Sequence, residues 1–391
     1  MTNRVDAQGL AQLAAWAHDA ARSATADGST PGLPEPPTLP EVAGFDAATA
    51  ALGPDDQARA AEAAIAAAGD WDVFGFYTSG VSEIAIASSA GLEAEQRMTD
   101  AMTLVVAAGD DASGYAERIS WSSDEVDPAA VAREAVAKAE RTRRAVELAP
   151  GHYRAVLEPY AFAELLLYFA ADSFGALGLL EERSYLSGRL GERLFDERVT
   201  IHDDALDSRG LPKSFDFEGC PKQRVHLVER GVARGVVWDR RTAAQAGNGQ
   251  STTGHAPPPL ARDYGPVPLA LSVEGGEAEG VEDLVELVGD GIYVTRLHYL
   301  SIVDPRQGVI TGMTRDGTFR IRDGKVAEPL VNLRFTVSVP QLLADVPGLT
   351  RAVTLVNASD YYGERYPVGT LVPALATTQL TITGVGSRPG V

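Results

Sequence analysis

The hydrophobic periodicity of this chain changes near residue 73. The segments before this point have the periodicity of helices, and the first strand-forming segments follow it. Residues 6–26 carry apolar side chains at helical spacing, which predicts an amphipathic helix. Pro54 suits the first turn and Gly69 the C-terminal cap of a second, alanine-rich helix. The proline-rich residues 28–44 cannot continue a helix, so we expect an extended linker there.

From about residue 73 to residue 122, the apolar side chains alternate with a period of two, and glycines such as Gly80 punctuate the alternation. We expect strands at residues 73–77, 83–87, 102–106 and 115–119. Asp127-Pro128 then suits the N-cap and first turn of a helix that runs to about Arg144. Residues 1–148 are therefore predicted to form an α+β domain with a mostly antiparallel sheet.

A second domain, residues 149–391, is predicted to be β-rich and to form a barrel or a sandwich. Near its start, residues 160–174 are predicted to form a helix. This helix is hydrophobic nearly all round, so it should be buried in a domain core or between subunits. Asp323-Gly324 between two alternating segments predicts a two-residue hairpin. The other expected elements are strands at 152–157, 225–229, 236–238, 318–322, 325–327, 371–375 and 379–383, and a helix at 282–288. The fold class is therefore α+β.

The net charge limits the classes of partner. The 391 residues include 54 Asp and Glu and 34 Lys and Arg, which gives a formal charge of −20. A chain this acidic repels phosphate backbones, so we expect no nucleic-acid binding. The sequence has no stretch of about 20 apolar residues and no apolar signal segment at its start, so we expect no membrane span and a cytoplasmic location. The single cysteine, Cys220, fits a reducing compartment.

The sequence gives no support for a metal site or a cofactor site in this chain. None of its six histidines lies within ten residues of another. His202-Asp203-Asp204 could supply metal ligands, although a polar loop between strands is the favoured interpretation. Cys220 lies between Gly219 and Pro221 in a predicted turn, where an incidental small residue is favoured over a reactive thiol.

Two polar segments are candidates for ligand binding. Asp216 and Glu218 lie two residues apart, so an extended backbone would point both carboxylates to one face, as acid/base chemistry requires. The residues from Ser251 to His255 form a loop of small polar residues around Gly254 that could expose backbone amides to a bound chain. A structural turn and an ordinary loop are the alternatives to these two interpretations.

Three segments in the second half of the chain resemble the TldD/TldE (PmbA) family of heterodimeric zinc peptidases. They are residues 215–224 (FDFEGCPKQR), 227–232 (LVERGV) and 251–256 (STTGHA). Further segments that resemble the family are residues 184–192, 203–219, 311–317 and 332–335. Their order and spacing make the resemblance specific, and it extends over about residues 45–385.

In the catalytic TldD-like partner, the resemblance implies a zinc ion held by both histidines of H-E-x-x-x-H and by a distant cysteine, with the glutamate as general base. Counted from the preceding strand, that motif would fall at Leu167 to Asp172, where Asp172 is the single potential ligand. The C-terminal region has no cysteine. The resemblance therefore implies a TldE-like subunit that holds no zinc, with the zinc in the partner. Family members begin with strands ahead of a helix like residues 6–26, which implies a shortened homologue or a fragment.

The function implied by this resemblance is that of a non-catalytic partner subunit in a cytosolic heterodimeric metallopeptidase that processes unfolded or small peptides. The chain would complete the cleft beside a TldD-like catalytic subunit, or form a homodimer in its absence, and bind the substrate backbone by strand addition. The residues expected to contact the peptide are His255, Ser251, Gly254, Asp216 and Glu218.

Two other functions stay open at this point. The first is a self-sufficient hydrolase that uses Cys220 or a site assembled from His202, Asp203 and His255. The second is a stand-alone peptide-binding or regulatory protein that has no catalytic partner.

Overall fold

The computed structural model describes residues 2–25, 31–359, 361 and 365–390. The chain divides into two compact units, Met1–Gly32 and Leu33–Val391. The first unit contains helix α1 (Ala7–Ser23), whose N-cap Asp6 accepts a hydrogen bond from the Gly9 amide at 2.7 Å. This helix confirms the prediction for residues 6–26 apart from its last residues. Residue 26 and residues 28–30 of the predicted linker lie outside the described residues, and residues 31–44 have no regular secondary structure.

The second unit opens with a three-stranded antiparallel sheet of order β1-β2-β3, flanked by helices. Its elements are α2 (Ala47–Ala50), α3 (Pro54–Ala68), β1 (Asp72–Ala87), β2 (Glu93–Gly109), β3 (Ala112–Ser120), a 3-10 turn (Ser123–Glu125) and α4 (Pro128–Arg141). The predicted antiparallel sheet and both helices are confirmed. Two predicted strands, 73–77 and 83–87, are instead one strand. Gly80 stays in register opposite Asp100, and a side chain there would meet the Arg365 guanidinium.

Helix α4 packs directly on the backbone of β3. A Cβ atom on Gly114 would lie 2.1 Å from the Ala135 carbonyl oxygen and 2.4 Å from the Ala139 amide nitrogen. Small, buried side chains, among them Ala116, complete this contact. The close approach fixes the position of β3, which carries residues of the candidate site described below.

Replacing Gly114 with alanine is expected to lower the free energy of unfolding by about 1–3 kcal/mol, because the added methyl group overpacks this contact. Urea denaturation measures the change. Gly109→Ala in the same sheet is the matched control, since a Cβ there would lie 3.4 Å from the Trp71 ring, an ordinary contact distance. Equal stability of the two variants would contradict the packing described here.

The rest of the second unit is built on two further sheets. Its elements are β4 (Gly151–Leu157), α5 (Pro159–Ser173), α6 (Ala176–Leu180), β5 (Ile201–Asp203), β6 (Val225–Glu229), β7 (Val232–Ala233), α7 (Arg240–Ala246), a 3-10 helix (Pro259–Tyr264), β8 (Leu271–Val273), α8 (Val281–Val288), β9 (Gly291–Asp304), β10 (Val309–Arg322), β11 (Lys325–Pro329), β12 (Leu333–Ser338), α9 (Val339–Ala344), β13 (Gly348–Leu349), β14 (Thr354–Asn357), β15 (Gly369–Val372) and β16 (Leu375–Val385). The predicted α+β class with a barrel is confirmed.

One of these sheets closes into a five-stranded barrel. Its strands follow the order β10-β12-β16-β4-β9, and β9 pairs with β10 to close the ring. Strand β11 extends β10 through the predicted hairpin, where Asp323 and Gly324 have φ angles of 47° and 70°. The other sheet has the order β14-β15-β8-β5-β6-β7.

Two strand predictions in this region were wrong. Residues 236–238 form no strand, because the backbone of Val237 makes only an isolated bridge with Gly175. The predicted strand 371–375 is divided between β15 and β16. Pro373 lies between them, and it has no amide hydrogen to donate to either sheet.

Helix α5 is the centre of the main hydrophobic core. Phe162, Leu165, Leu166 and Phe169 are each at most 2% exposed and pack in a cluster with side chains from both the barrel and the six-stranded sheet. The apolar side of this helix is therefore covered within the chain and is not available to a second subunit. In the part of the chain that the structure describes, no helix combines the length and apolar character needed to cross a membrane.

Candidate functional site

An open cavity of about 310 Å³ lies where α5, β3, β9 and the segment after β14 meet. We call it the α5 cavity. The polar and aromatic side chains that matter for its chemistry are Glu117, Tyr160, Glu164, Tyr168, Arg296 and His298. Its volume is at the lower end of the range of small-ligand sites, about 300–1,000 Å³. The concentration of titratable groups makes it the candidate functional site.

Helical spacing explains why α5 serves both the core and the cavity. Ala163, Glu164, Leu167 and Tyr168 lie one turn apart on the side that faces the cavity. Pro159 occupies the first helical position, where its missing amide hydrogen leaves no bond unmade. The helix therefore presents one carboxylate and one phenol to the cavity from a rigid support.

Glu164 is a carboxyl group of the cavity with an unusual protonation. Its carboxylate has no hydrogen bond and no ion pair with any residue that the structure describes. Burial raises the pKa of Glu164 to about 7; Arg296 opposes this rise and the negative charge of Glu117 adds to it. This carboxyl group can therefore gain or lose a proton near neutral pH, as a general acid or base must.

The other carboxylate of the cavity, Glu117, accepts a hydrogen bond at each oxygen. Its Oε2 accepts a hydrogen bond from the Tyr115 hydroxyl at 2.5 Å, and its Oε1 accepts one from the Asn357 amide at 2.8 Å. Burial raises the pKa of Glu117, and these hydrogen bonds oppose the rise. Glu117 thus ties β3 to the segment after β14 and holds that wall of the cavity in place.

The positive charge in the cavity is already neutralised. The Arg296 Nε lies 3.1 Å from Asp316 Oδ2, and the guanidinium carbon lies 4.0 Å from the centroid of the Tyr115 ring. His298 adds no charge at neutral pH, because burial, together with Arg315 and Arg296, lowers its pKa below 6.5. Glu164 is therefore the carboxyl group of the cavity that has neither a hydrogen bond nor an ion pair with a described residue.

The predicted motif position, Leu167 to Asp172, does not match the side of α5 that faces the cavity. Leu167 and Tyr168 do line it, but Asp172 forms an ion pair with Arg183 at 3.3 Å. The H-E-x-x-x-H spacing fits the cavity-facing positions at 163–168, with Ala163 and Tyr168 at the histidine positions and Glu164 at the glutamate position. Sequence analysis missed Glu164, although its spacing to Tyr168 was a usable signal.

His255, the principal predicted peptide contact, lies in the interior. Its side chain is 0% exposed, and its Nε2 donates a hydrogen bond to Asp203 Oδ1 at 2.8 Å. Burial and the charge of Lys222 lower the pKa of His255, so the ring is neutral and accepts a hydrogen bond from the Thr253 hydroxyl at 2.9 Å. This burial argues against the predicted contact with peptide and indicates a structural role.

Asp216, Glu218 and Cys220 form a turn, and they are the described residues that could together hold a metal ion, with ligand atoms within 4.8 Å of one another. Asp216 Oδ1 accepts hydrogen bonds from the Glu218 and Cys220 amides, and Oδ2 accepts one from the Ala256 amide at 2.8 Å. Burial raises the pKa of the Cys220 thiol to about 12, which disfavours the thiolate that a metal requires. The turn organises the backbone, as the structural alternative predicted.

The loop from Ser251 to His255 packs against this turn, so the two predicted segments are neighbours. Ser251 is exposed, whereas Gly254 is buried with a φ of 75°, and a Cβ there would lie 2.2 Å from the Pro221 carbonyl oxygen. None of the five predicted contact residues lines the α5 cavity. Gly254 is required for the close approach of two loops.

The site assembled from His202, Asp203 and His255 does not form. His202 and Asp203 are consecutive residues of β5, so their side chains point to opposite faces of the sheet. Asp203 pairs with His255, while His202 lies beside His226 with ring centroids 6.3 Å apart. The hydrolase alternative therefore gains no support from these three residues.

Two family models match the chain over nearly its whole second unit. One describes the central domain of PmbA/TldA metallopeptidases and matches residues 39–143, and the other describes their C-terminal domain and matches residues 150–384. The chain belongs to the PmbA/TldA metallopeptidase family. This is the family that the sequence motifs resembled, and the match confirms that prediction.

Relatives of this PmbA/TldA family member include proteins named as metalloproteases. One from Methanothermobacter thermautotrophicus is 29% identical over 243 residues, which are 59% of this chain and 50% of that protein. A metalloprotease TldD homologue from Buchnera aphidicola is 25% identical over 51% of this chain and 42% of that protein. The chain thus matches about half the length of these relatives.

The crystal structure of TldE from Thermococcus kodakarensis has the same fold. It superposes with a TM-score of 0.85 at 20% sequence identity and covers 98% of this chain and 86% of that one. At this identity, the likeness establishes the fold of this PmbA/TldA family member and nothing further about its chemistry.

Proposed function

We propose that this chain is a TldE-like, non-catalytic subunit of a cytosolic heterodimeric metallopeptidase that processes unfolded or small peptides. The zinc would be held by a TldD-like partner. One observation carries the proposal: the α5 cavity presents alanine and tyrosine, at Ala163 and Tyr168, where the H-E-x-x-x-H spacing requires histidines. A catalytic zinc site needs about three protein ligands, and alanine can supply none.

The comparisons support parts of this proposal. The family places the chain among metallopeptidases, and a TldE shares its fold. We also propose the domain boundary at residue 149, because the two family models meet between residues 143 and 150. Strand addition remains the proposed mode of backbone binding, with the described edge strand β1 as one unpaired edge.

The purified chain is expected to bind no stoichiometric zinc and to cleave no peptide alone, because Ala163 and Tyr168 stand where the motif would place its two histidine ligands. Elemental analysis and a peptidase assay with and without chelator test this. Adding a TldD-like protein that carries H-E-x-x-x-H should produce chelator-sensitive cleavage of an unfolded substrate. One zinc per chain with chelator-sensitive cleavage by the chain alone would overturn the proposal.

The same assay separates the two alternatives. A self-sufficient hydrolase would cleave without a partner, although the buried Cys220 thiol, with its pKa raised to about 12, is a poor nucleophile. A stand-alone peptide-binding protein would bind peptides and leave the activity of the TldD-like protein unchanged.

A further inference from the structure

We propose that the α5 cavity binds the protonated α-amino group of a peptide and that Glu164 is its counter-ion. The inference rests on the proposed function, which makes this cavity part of a peptide-handling cleft. The cavity would hold the N-terminal end of the peptide. The ligands expected to bind are therefore peptides with an unmodified N-terminus.

The charge balance of the cavity favours a cation as the ligand. Each carboxylate oxygen of Glu117 already accepts a hydrogen bond, one from the Tyr115 hydroxyl and one from the Asn357 amide. Arg296 is paired with Asp316. Glu164 alone offers free carboxylate oxygens, and no described residue donates a hydrogen bond or supplies a counter-ion to them. An ammonium group supplies both the hydrogen-bond donors and the positive charge that the Glu164 carboxylate lacks.

The walls of the cavity suit an ammonium group followed by a short stretch of peptide. Tyr168 lies one turn of α5 beyond Glu164 and offers an aromatic ring and a hydroxyl, both of which interact well with ammonium groups. Ala163 and Leu167 provide an apolar wall for the first side chain. A volume of about 310 Å³ accommodates only a small ligand or the first residues of a chain.

The protonation of Glu164 makes binding depend on pH. The titratable groups that face it are Tyr160 and Tyr168 from α5, Tyr115 and Glu117 from β3, and Arg296 and His298 from β9. Burial raises the pKa of Glu164 to about 7, so the carboxylate forms as the pH rises through 7. A peptide α-amino group has a pKa of about 7.7–8.0 and loses its charge above it. Affinity should therefore be highest between these two values.

Calorimetric titration of the isolated, zinc-free chain with trialanine and with N-acetyl-trialanine tests the inference. We expect acetylation of the amino group to weaken binding about tenfold or more, because it removes a charge-assisted hydrogen bond. Glu164→Gln should remove the difference between the two peptides and flatten the pH profile near 7. Asp172→Asn, a matched change on the same helix outside the cavity, should preserve both.

Equal affinity for the two peptides, or no detectable binding of trialanine, would overturn the amine site. The comparison of peptides uses the unaltered chain, so it remains decisive even if Glu164→Gln fails to fold. The two proposals can also fail separately. If the chain stimulates a TldD-like partner but shows no preference for the free amine, the result contradicts only the amine site. If the chain prefers the free amine but cleaves peptides alone, the result contradicts only the proposed non-catalytic role.

Discussion

Replacing His255 with alanine is expected to lower the free energy of unfolding by about 3 kcal/mol, because the change leaves the buried Asp203 carboxylate without the hydrogen-bond donor of the neutral imidazole. Both side chains are 0% exposed, and their nitrogen and oxygen atoms lie 2.8 Å apart. Asp203 also accepts a hydrogen bond from the Ala270 amide at 2.7 Å, so the pair joins the His255 loop to the six-stranded sheet. Urea denaturation of the purified variant measures the loss.

The matched control is His226→Ala, which removes an exposed histidine from the adjacent strand β6. A surface substitution of this kind changes stability by about 0.5 kcal/mol or less. The opposite result would support the prediction that His255 contacts the peptide. If His255→Ala keeps its stability but reduces turnover in the reconstituted heterodimer, then this histidine contacts the peptide and the interior pair is unimportant.

The burial of His255 shows what a single sequence conceals. The loop from Ser251 to His255 has the composition of an exposed binding loop, and composition is all that local sequence reports. It contacts Asp203, which lies 52 residues earlier on β5 and forms a hydrogen bond of 2.8 Å with the buried His255. No local pattern encodes that contact, so the sequence left a binding loop and an ordinary loop as open alternatives.

Elements with local causes were predicted well. The Asp323-Gly324 turn needs two positive φ angles, and those residue types provide them at little cost. Helix α4 begins at Pro128 behind its N-cap Asp127, as the sequence indicated. In contrast, Gly80 suggested a break in a strand because glycine usually marks one. Here its bare backbone makes room for Arg365, 285 positions later in the chain.

The orientation of α5 was predicted only in part. Its apolar character predicted burial, and the structure confirms it. The apolar pattern did not select the side that faces the cavity, because the helix is hydrophobic nearly all round. The spacing of Glu164 and Tyr168, one turn apart, was the signal that the sequence offered, and the positions of β3 and β9 around the helix show that both residues face the cavity.

Replacing Asp100 with alanine is expected to lower the free energy of unfolding by about 3 kcal/mol, because it leaves the Arg365 guanidinium, 24% exposed, without its buried partner. The 0% exposed Asp100 carboxylate accepts hydrogen bonds from Arg365 Nε at 2.7 Å and Nη2 at 2.6 Å, and from the Tyr361 hydroxyl at 3.1 Å. These bonds fasten the segment after β14 to the three-stranded sheet.

The control for this variant is Glu83→Ala, which breaks the 2.6 Å ion pair with Arg97 on the same sheet. Both of those side chains are at least half exposed, and an exposed pair contributes only about 0–1 kcal/mol.

The segment that Asp100 fastens also supplies Asn357 and Ser359 to the α5 cavity. Asp100→Ala should therefore increase tryptic cleavage after Arg365 and weaken trialanine binding, whereas Glu83→Ala should change neither. If both variants lose the same small amount of stability, the buried pair does not hold this wall of the cavity in place.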